Sequence, residues 1–196
     1  MNRFKKYLIA IVIILAVPSF SFANQWEIDK AHANVSFKVK HVFSLVAGHF
    51  TDFDGDFFFN PDDLENAKFN FQVNVKSINT FNSKRDTHLK SKDFFEADKF
   101  PQMMFKSTKV THKKDNIYDL EGELTIKDVT KLIVVEFMFY GPKDAPFDKK
   151  KLVAGFDTNF TIDRLQYHVG EGKFFKMGVV GQFVEINLSL EALAKK

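Results

Sequence analysis

Apolar and polar residues alternate along most of this chain. In Lys68-Phe69-Asn70-Phe71-Gln72-Val73-Asn74-Val75-Lys76 every odd position is apolar and every even one is polar or charged. A repeat of two sends successive side chains to opposite faces of a strand, leaving one face dry and one wet. The pattern recurs and predicts eight strands. The first covers residues 33–41, with Val35, Phe37, Val39 and His41 sharing a face. The second covers 48–59, where Phe53, Phe57 and Phe59 oppose Asp52, Asp54 and Asp56, and Asn60-Pro61-Asp62-Asp63 breaks it. The others cover 69–78, 103–110, 118–126, 132–140, 153–164 and 179–190. One short polar helix is expected over 85–95, anchored by Leu89, Phe94 and Phe95. The segment 141–151, with two Pro and four Lys, reads as a flexible loop. Strands so spaced, without intervening helices, predict an all-β sandwich or barrel and exclude a parallel α/β sheet.

Composition says what fills the dry face. Phe supplies 25 of 196 residues, against one Trp, four Tyr and no Cys. Strand parity points Phe37, Val39, Phe69, Phe71, Val73, Phe105, Leu120, Leu124, Phe137, Phe156 and Phe160 inward. Parity alone leaves two readings open: a filled core, or a container for something apolar. The lack of Cys excludes disulfides but does not argue against an oxidising compartment, because a domain of this size is stable without staples.

The N-terminus reads as a cleaved secretory leader over residues 1–23. Arg3, Lys5 and Lys6 precede an apolar run from Tyr7 to Val17, and Ser21-Phe22-Ala23 offers small residues to a signal peptidase. The run is too short for a retained transmembrane helix. Residues 24–196 then form one domain, expected in the periplasm. Three of the 28 basic residues lie in the leader; the remaining 25 are balanced by 25 acidic ones. A balanced chain lacks the basic excess of a nucleic-acid binder.

Motifs for chemistry are sparse. The sequence holds no Gly-x-Ser-x-Gly elbow, no Cys nucleophile and no His-Glu-x-x-His, so no catalytic or metal site is assigned. Asp52, Asp54 and Asp56 lack the spacing of a calcium loop and read as a solvated strand face. Gly170-x-Gly172 is a turn rather than a dinucleotide loop. Beyond the leader only Arg85 and Arg164 occur, beside about two dozen Lys. A planar bidentate donor suits a phosphate or carbonyl oxygen; it also suits a structural pairing. His41, sharing parity with Val39, is a candidate hydrogen-bond donor to a ligand.

The motifs resemble the YceI-like family. Trp26-x-Ile28-Asp29-x-x-His32 leads into Val35-x-Phe37-x-Val39-Lys40-His41, followed by Gly48-x-Phe50-x-x-Phe53-x-Gly55 and Ser77-Ile78-x-Thr80. Arg85-Asp86-x-His88-Leu89-x-Ser91-x-Asp93-Phe94-Phe95 is the most distinctive stretch. Phe100-Pro101-x-Met103-x-Phe105-x-Ser107-Thr108, Gly122-x-Leu124-Thr125-Ile126, Thr130-Lys131, Gly155-Phe156 and Ile162-Asp163-Arg164 complete it. Two departures stand out. Asp128 replaces a usual Gly, and Leu165-Gln166-Tyr167-His168 replaces an acidic-aromatic-Gly pattern.

The resemblance implies an extended eight-stranded antiparallel barrel, lipocalin-like, with one or two short helices. It implies an exported binding protein that sequesters or carries a long isoprenoid lipid, a polyprenyl phosphate or quinone-type molecule, in an apolar tunnel. The eleven inward residues above, with His41, Arg85 and Arg164, form the expected binding set. No catalysis, cofactor or nucleic-acid partner is expected; transient membrane-surface contact and a homodimer stay open. The alternatives are an enzyme acting on such a lipid through His41, His88 or a carboxylate at the mouth, and a filled-core interaction or stress barrel.

Overall fold

The protein is described by a computed structural model covering residues 25–170 and 172–196. The leader expected over residues 1–23 lies outside the described residues. The elements run β1 (Gln25–His41), β2 (Ser44–Phe50), β3 (Phe53–Phe58), β4 (Lys68–Asn74), β5 (Ile78–Asn79), α1 (Ser83–Lys90), β6 (Gln102–Lys114), β7 (Ile117–Ile126), β8 (Val129–Ala145), β9 (Asp148–Asp163), α2 (Lys173–Lys176) and β10 (Val180–Lys195).

All strand pairings are antiparallel, in the order β10-β9-β8-β7-β6-β4-β3-β1-β2-β5, and β10 also pairs with β1. That last pairing closes the sheet and leaves no exposed edge around most of the ring. β2 and β3 both lie on one edge of β1, with Val35 opposite Phe50 and Glu27 opposite Asp56. They are two halves of one kinked stave. Asp52 holds the kink: its backbone oxygen accepts from Asn74 N at 2.9 Å and its carboxylate from Asn74 Nδ2 at 2.9 Å. β4 and β5 form a second kinked stave through the 3-10 turn Val75–Ser77. Counting each kinked pair once gives the expected eight-stranded antiparallel barrel.

Three local expectations are corrected. The 141–151 segment is a hairpin, not a loop: Lys143 pairs with Val153 and Asp144 with Leu152. Pro142 is tolerated because it falls in the register break between Tyr140 and Lys143, where its missing N–H costs no ladder bond. The helix stops at Lys90, because Ser91 N and Ser91 Oγ both donate to the His88 carbonyl, at 3.1 and 2.7 Å. Phe94 and Phe95 follow in turns. β1 begins at Gln25 rather than at 33.

The ring is not uniformly laced. β8 and β9 pair from Phe137–Thr158 down to Ala145–Asp148. Beyond Phe137, residues 129–136 pair with β7 alone and 159–163 with β10 alone, among the described residues. A hydrogen bond from Thr158 Oγ1 to the Glu136 carbonyl, at 2.6 Å, marks where the two strands part.

One end of the barrel is solid. Phe59, 1% exposed, meets Phe69, Tyr118, Phe137, Phe139 and Phe156 with ring centroids 4.8–5.9 Å apart, mostly edge-to-face. Trp26 caps the cluster and donates Nε1–H to the Phe59 carbonyl at 2.9 Å, so its polar edge is satisfied in the core.

Candidate functional site

Beyond this packed end the staves diverge around a void. Phe57, Phe69, Phe137 and Phe156 are buried and form its floor, while Phe37, Val39, Phe71, Phe105, Leu124, Phe160, Val184, Ile186 and Leu188 form its walls and stay only half-buried. Half-burial of inward-facing side chains is what a hollow barrel produces. At the other end Leu89, Phe94, Phe95, Tyr167 and Val169 fold over the opening, and Phe94, Tyr167 and Val169 belong to a second apolar cluster with Ile126. The cavity measures about 220 Å³. An engineered apolar cavity of about 150 Å³ admits benzene, so on that scale this one holds about nine carbons, roughly two isoprene units. A longer chain needs rings to swing or must leave through the wall. The parting of β8 from β9 adjoins the cavity, which Ile133 and Val135 line from one side and Phe160 and Ile162 from the other.

All eleven apolar residues of the expected binding set line this cavity: Phe37, Val39, Phe69, Phe71, Val73, Phe105, Leu120, Leu124, Phe137, Phe156 and Phe160. His41 does not. It is the last residue of β1, opposite Ser44 at the rim, where the ladder to β10 slips by extra residues on β10, and the imidazole is exposed. Arg85 does not either: its Nε donates to Thr80 Oγ1 at 2.7 Å and its Nη2 to the Thr80 carbonyl at 2.6 Å. Thr80 is buried and donates in turn to Asp86 from both N and Oγ1. Arg85 therefore fastens α1 to β5 beside the barrel.

Arg164 is different. It lines the cavity and is 4% exposed. Its Nε donates to the Gly181 carbonyl at 2.7 Å, Nη1 to Val169 at 2.6 Å and Nη2 to Val180 at 3.0 Å. A guanidinium has five N–H donors, so these carbonyls leave one each on Nη1 and Nη2. Burial lowers its pKa, opposed by the neighbouring Asp163 carboxylate. Burial also pushes Asp163 up, but hydrogen bonds from Gln182, at 2.7 Å, and from Leu165 N, at 3.0 Å, outweigh it and hold this carboxyl below its usual range. Gly170 makes the arrangement fit. Its φ is +78°, and a Cβ there would stand 2.5 Å from Arg164 Nη1 and 2.9 Å from the Phe94 ring.

The sequence reading passed over Val184, Ile186 and Leu188, although their alternation with Phe183, Glu185, Asn187 and Ser189 carries the same signal as the other strands. Tyr167 and Val169 lie at and beyond a 3-10 turn, where no period exists to flag them. Among the described residues, Asp29, His32 and Glu191 could offer ligand atoms to one cation, within 4.8 Å of one another. They sit toward the packed end and are largely exposed, and His32 Nδ1 is already hydrogen-bonded to Asp29 at 2.8 Å.

Known proteins share this chain's sequence pattern and its fold. The YceI-like domain family matches residues 26–192. A UPF0312 protein of Vibrio parahaemolyticus is 33% identical, over 97% of this chain and all of its own length. Two solved structures share the fold. BcnA of Burkholderia cenocepacia superposes with a TM-score of 0.76 at 24% identity, over 84% of this chain and 98% of its own. A polyisoprenoid-binding domain of Saccharophagus degradans superposes with a TM-score of 0.65 at 13% identity, over 86% and 98%. A barrel closed in this order, with family motifs running through nearly all the described residues, places the chain in the YceI-like family.

Proposed function

We propose that the protein is an exported, non-catalytic carrier that holds an isoprenoid lipid in its barrel, with the tail among the Phe rings and an anionic or carbonyl head group at Arg164. The observation that carries this reading is an apolar cavity bordered by one buried cation with donors to spare. The fold shared with a polyisoprenoid-binding domain supports the ligand class. The leader over residues 1–23 and the balanced charge beyond it support export as a soluble protein.

Energetics favour holding over stripping. Removing a methylene from water gains about 0.8 kcal/mol. Nine buried carbons thus gain about 7 kcal/mol gross, before the cost of ordering the tail. A lipid in a bilayer has already left water, so most of that gain cancels on extraction. Loading then depends on shape and on the head group.

The test is native mass spectrometry and solvent extraction of the protein purified from its own periplasm, with titration by farnesyl phosphate and a short-chain ubiquinone. Co-purified prenyl lipid and saturable binding are expected. Reproducible absence of lipid, with no saturable binding of either probe, overturns the proposal.

A further inference from the structure

Around the opening the chain exposes apolar side chains that no barrel needs. Phe43, at the tip of the β1–β2 turn, is 99% exposed, with Val42 and Leu45 exposed beside it. Phe175 and Met177, on and just after α2, are exposed as well. These are one surface. Val42 N donates to the Val179 carbonyl at 3.0 Å, and Val179 N to Phe174 at 2.9 Å, tying the turn to the end of α2. Both segments adjoin the cavity: Val39 and Val180 line it, and Phe174 stacks on Phe94 in its cover with centroids 5.0 Å apart.

Among the described residues of the β1–β2 turn and α2, the charged side chains are all basic. Along the sequence no acidic residue occurs between Asp29 and Asp52, nor between Glu171 and Glu185. Lys40, Lys173 and Lys176 are exposed there. Asp93, which approaches from the α1 side, is held by His88 at 3.1 Å. In a chain whose acids and bases otherwise balance, this is a local segregation of cations around an apolar tip.

We propose that the rim formed by the β1–β2 turn and α2 is a docking surface for an anionic lipid bilayer, with Phe43 and Met177 entering the interface and Lys40, Lys173 and Lys176 on the head groups. Exposed aromatic and aliphatic side chains gain by entering the acyl boundary, and each lysine near an anionic surface adds to the attraction. The proposal deepens the carrier reading, on which it rests for its purpose. Docking with the opening toward the bilayer lets a tail pass from membrane to cavity without crossing water, which removes the extraction cost described above.

The experiment is flotation of the mature chain with vesicles of phosphatidylcholine alone or with one quarter phosphatidylglycerol. Binding is expected to the anionic vesicles and to weaken with salt. The Phe43→Ser, Met177→Ser double variant is expected to lose at least tenfold in partitioning, and Lys173→Gln or Lys176→Gln roughly fivefold each. Phe147→Ser removes an equally exposed ring at the β8–β9 tip, toward the packed end, and is expected to leave flotation unchanged. Equal binding to neutral vesicles, or equal losses from Phe147→Ser and the rim variants, overturns the proposal. So does a change of oligomeric state in Phe43→Ser without lipid, which would make the patch a contact between copies of this chain. Farnesyl phosphate titration separates the two claims. A parent that binds the probe but does not float refutes docking alone; one that floats but binds no probe refutes the carrier alone.

Discussion

Replacing one phenylalanine by alanine should have sharply different consequences at the two ends of the barrel. Phe59 is surrounded by five rings and does not line the cavity. Truncation there loses its transfer energy and leaves a cavity, at a cost of about 4 kcal/mol. Phe160 faces the void and is half-buried, so Phe160→Ala forfeits only part of the transfer term, about 1 to 1.5 kcal/mol. For a domain of this size a urea m-value of about 2 kcal/mol/M converts these to midpoint shifts of about 2 M and about 0.6 M. Equilibrium urea unfolding followed by far-UV circular dichroism, with m checked for constancy, measures both. The same pair should split in binding: Phe59→Ala keeps prenyl affinity wherever it is folded, while Phe160→Ala alters it. Equal midpoint shifts for the two variants would refute the division into a packed end and a hollow end.

Arg164→Met strips a buried donor set from three carbonyls and should cost about 3 kcal/mol or more, read as a fall in Tm, and lower affinity for farnesyl phosphate more than for farnesol. Gly170→Ala forces a side chain into a left-handed backbone and against Arg164 and Phe94, so a loss of about 1 to 3 kcal/mol in chemical denaturation is expected. The Asp29–His32 pair raises the His32 pKa above 6.5, chiefly by the hydrogen bond that its ring donates to Asp29, and lowers Asp29 below 3.8. Its stabilising effect is therefore present from about pH 4 to the usual histidine range; it fades as pH rises through the elevated His32 value and as pH falls through the depressed Asp29 value. NMR titration of His32 should move down toward the ordinary value in Asp29→Asn, with the smaller effect of Glu191 remaining; an unchanged midpoint would show that the Asp29 carboxylate is not the cause.

Much of this was legible in the sequence, and the reason is physical. A period of two cannot be satisfied on one buried face except by strands, so Phe69, Phe71 and Val73 declared both their element and their direction. The eight strands and all eleven inward residues followed from that rule. It failed at the strand end: His41 shares parity with Val39, but it sits at the rim where β1 ends and the cavity wall has run out, so it is exposed. It also failed for Pro142, whose composition suggests a loop while the register break absorbs it in a strand. The hollowness of one half was illegible. Phe59 and Phe160 look alike in sequence, and only the convergence of five rings from four strands at one end tells them apart. Arg164 was flagged by scarcity, yet its carbonyl cradle depends on Gly170, Val180 and Gly181 meeting in space, which no local pattern announces.

Photoaffinity labelling tests the central claim most directly. A farnesyl phosphate bearing a diazirine in its tail would be irradiated with the folded protein and the adducts mapped by tandem mass spectrometry. Adducts on Phe37, Phe71, Phe105, Phe160 and Ile186, suppressed by excess unlabelled lipid, are the predicted result. Labelling confined to exposed residues such as Phe43, Phe147 and Met177, with the interior untouched, would contradict it.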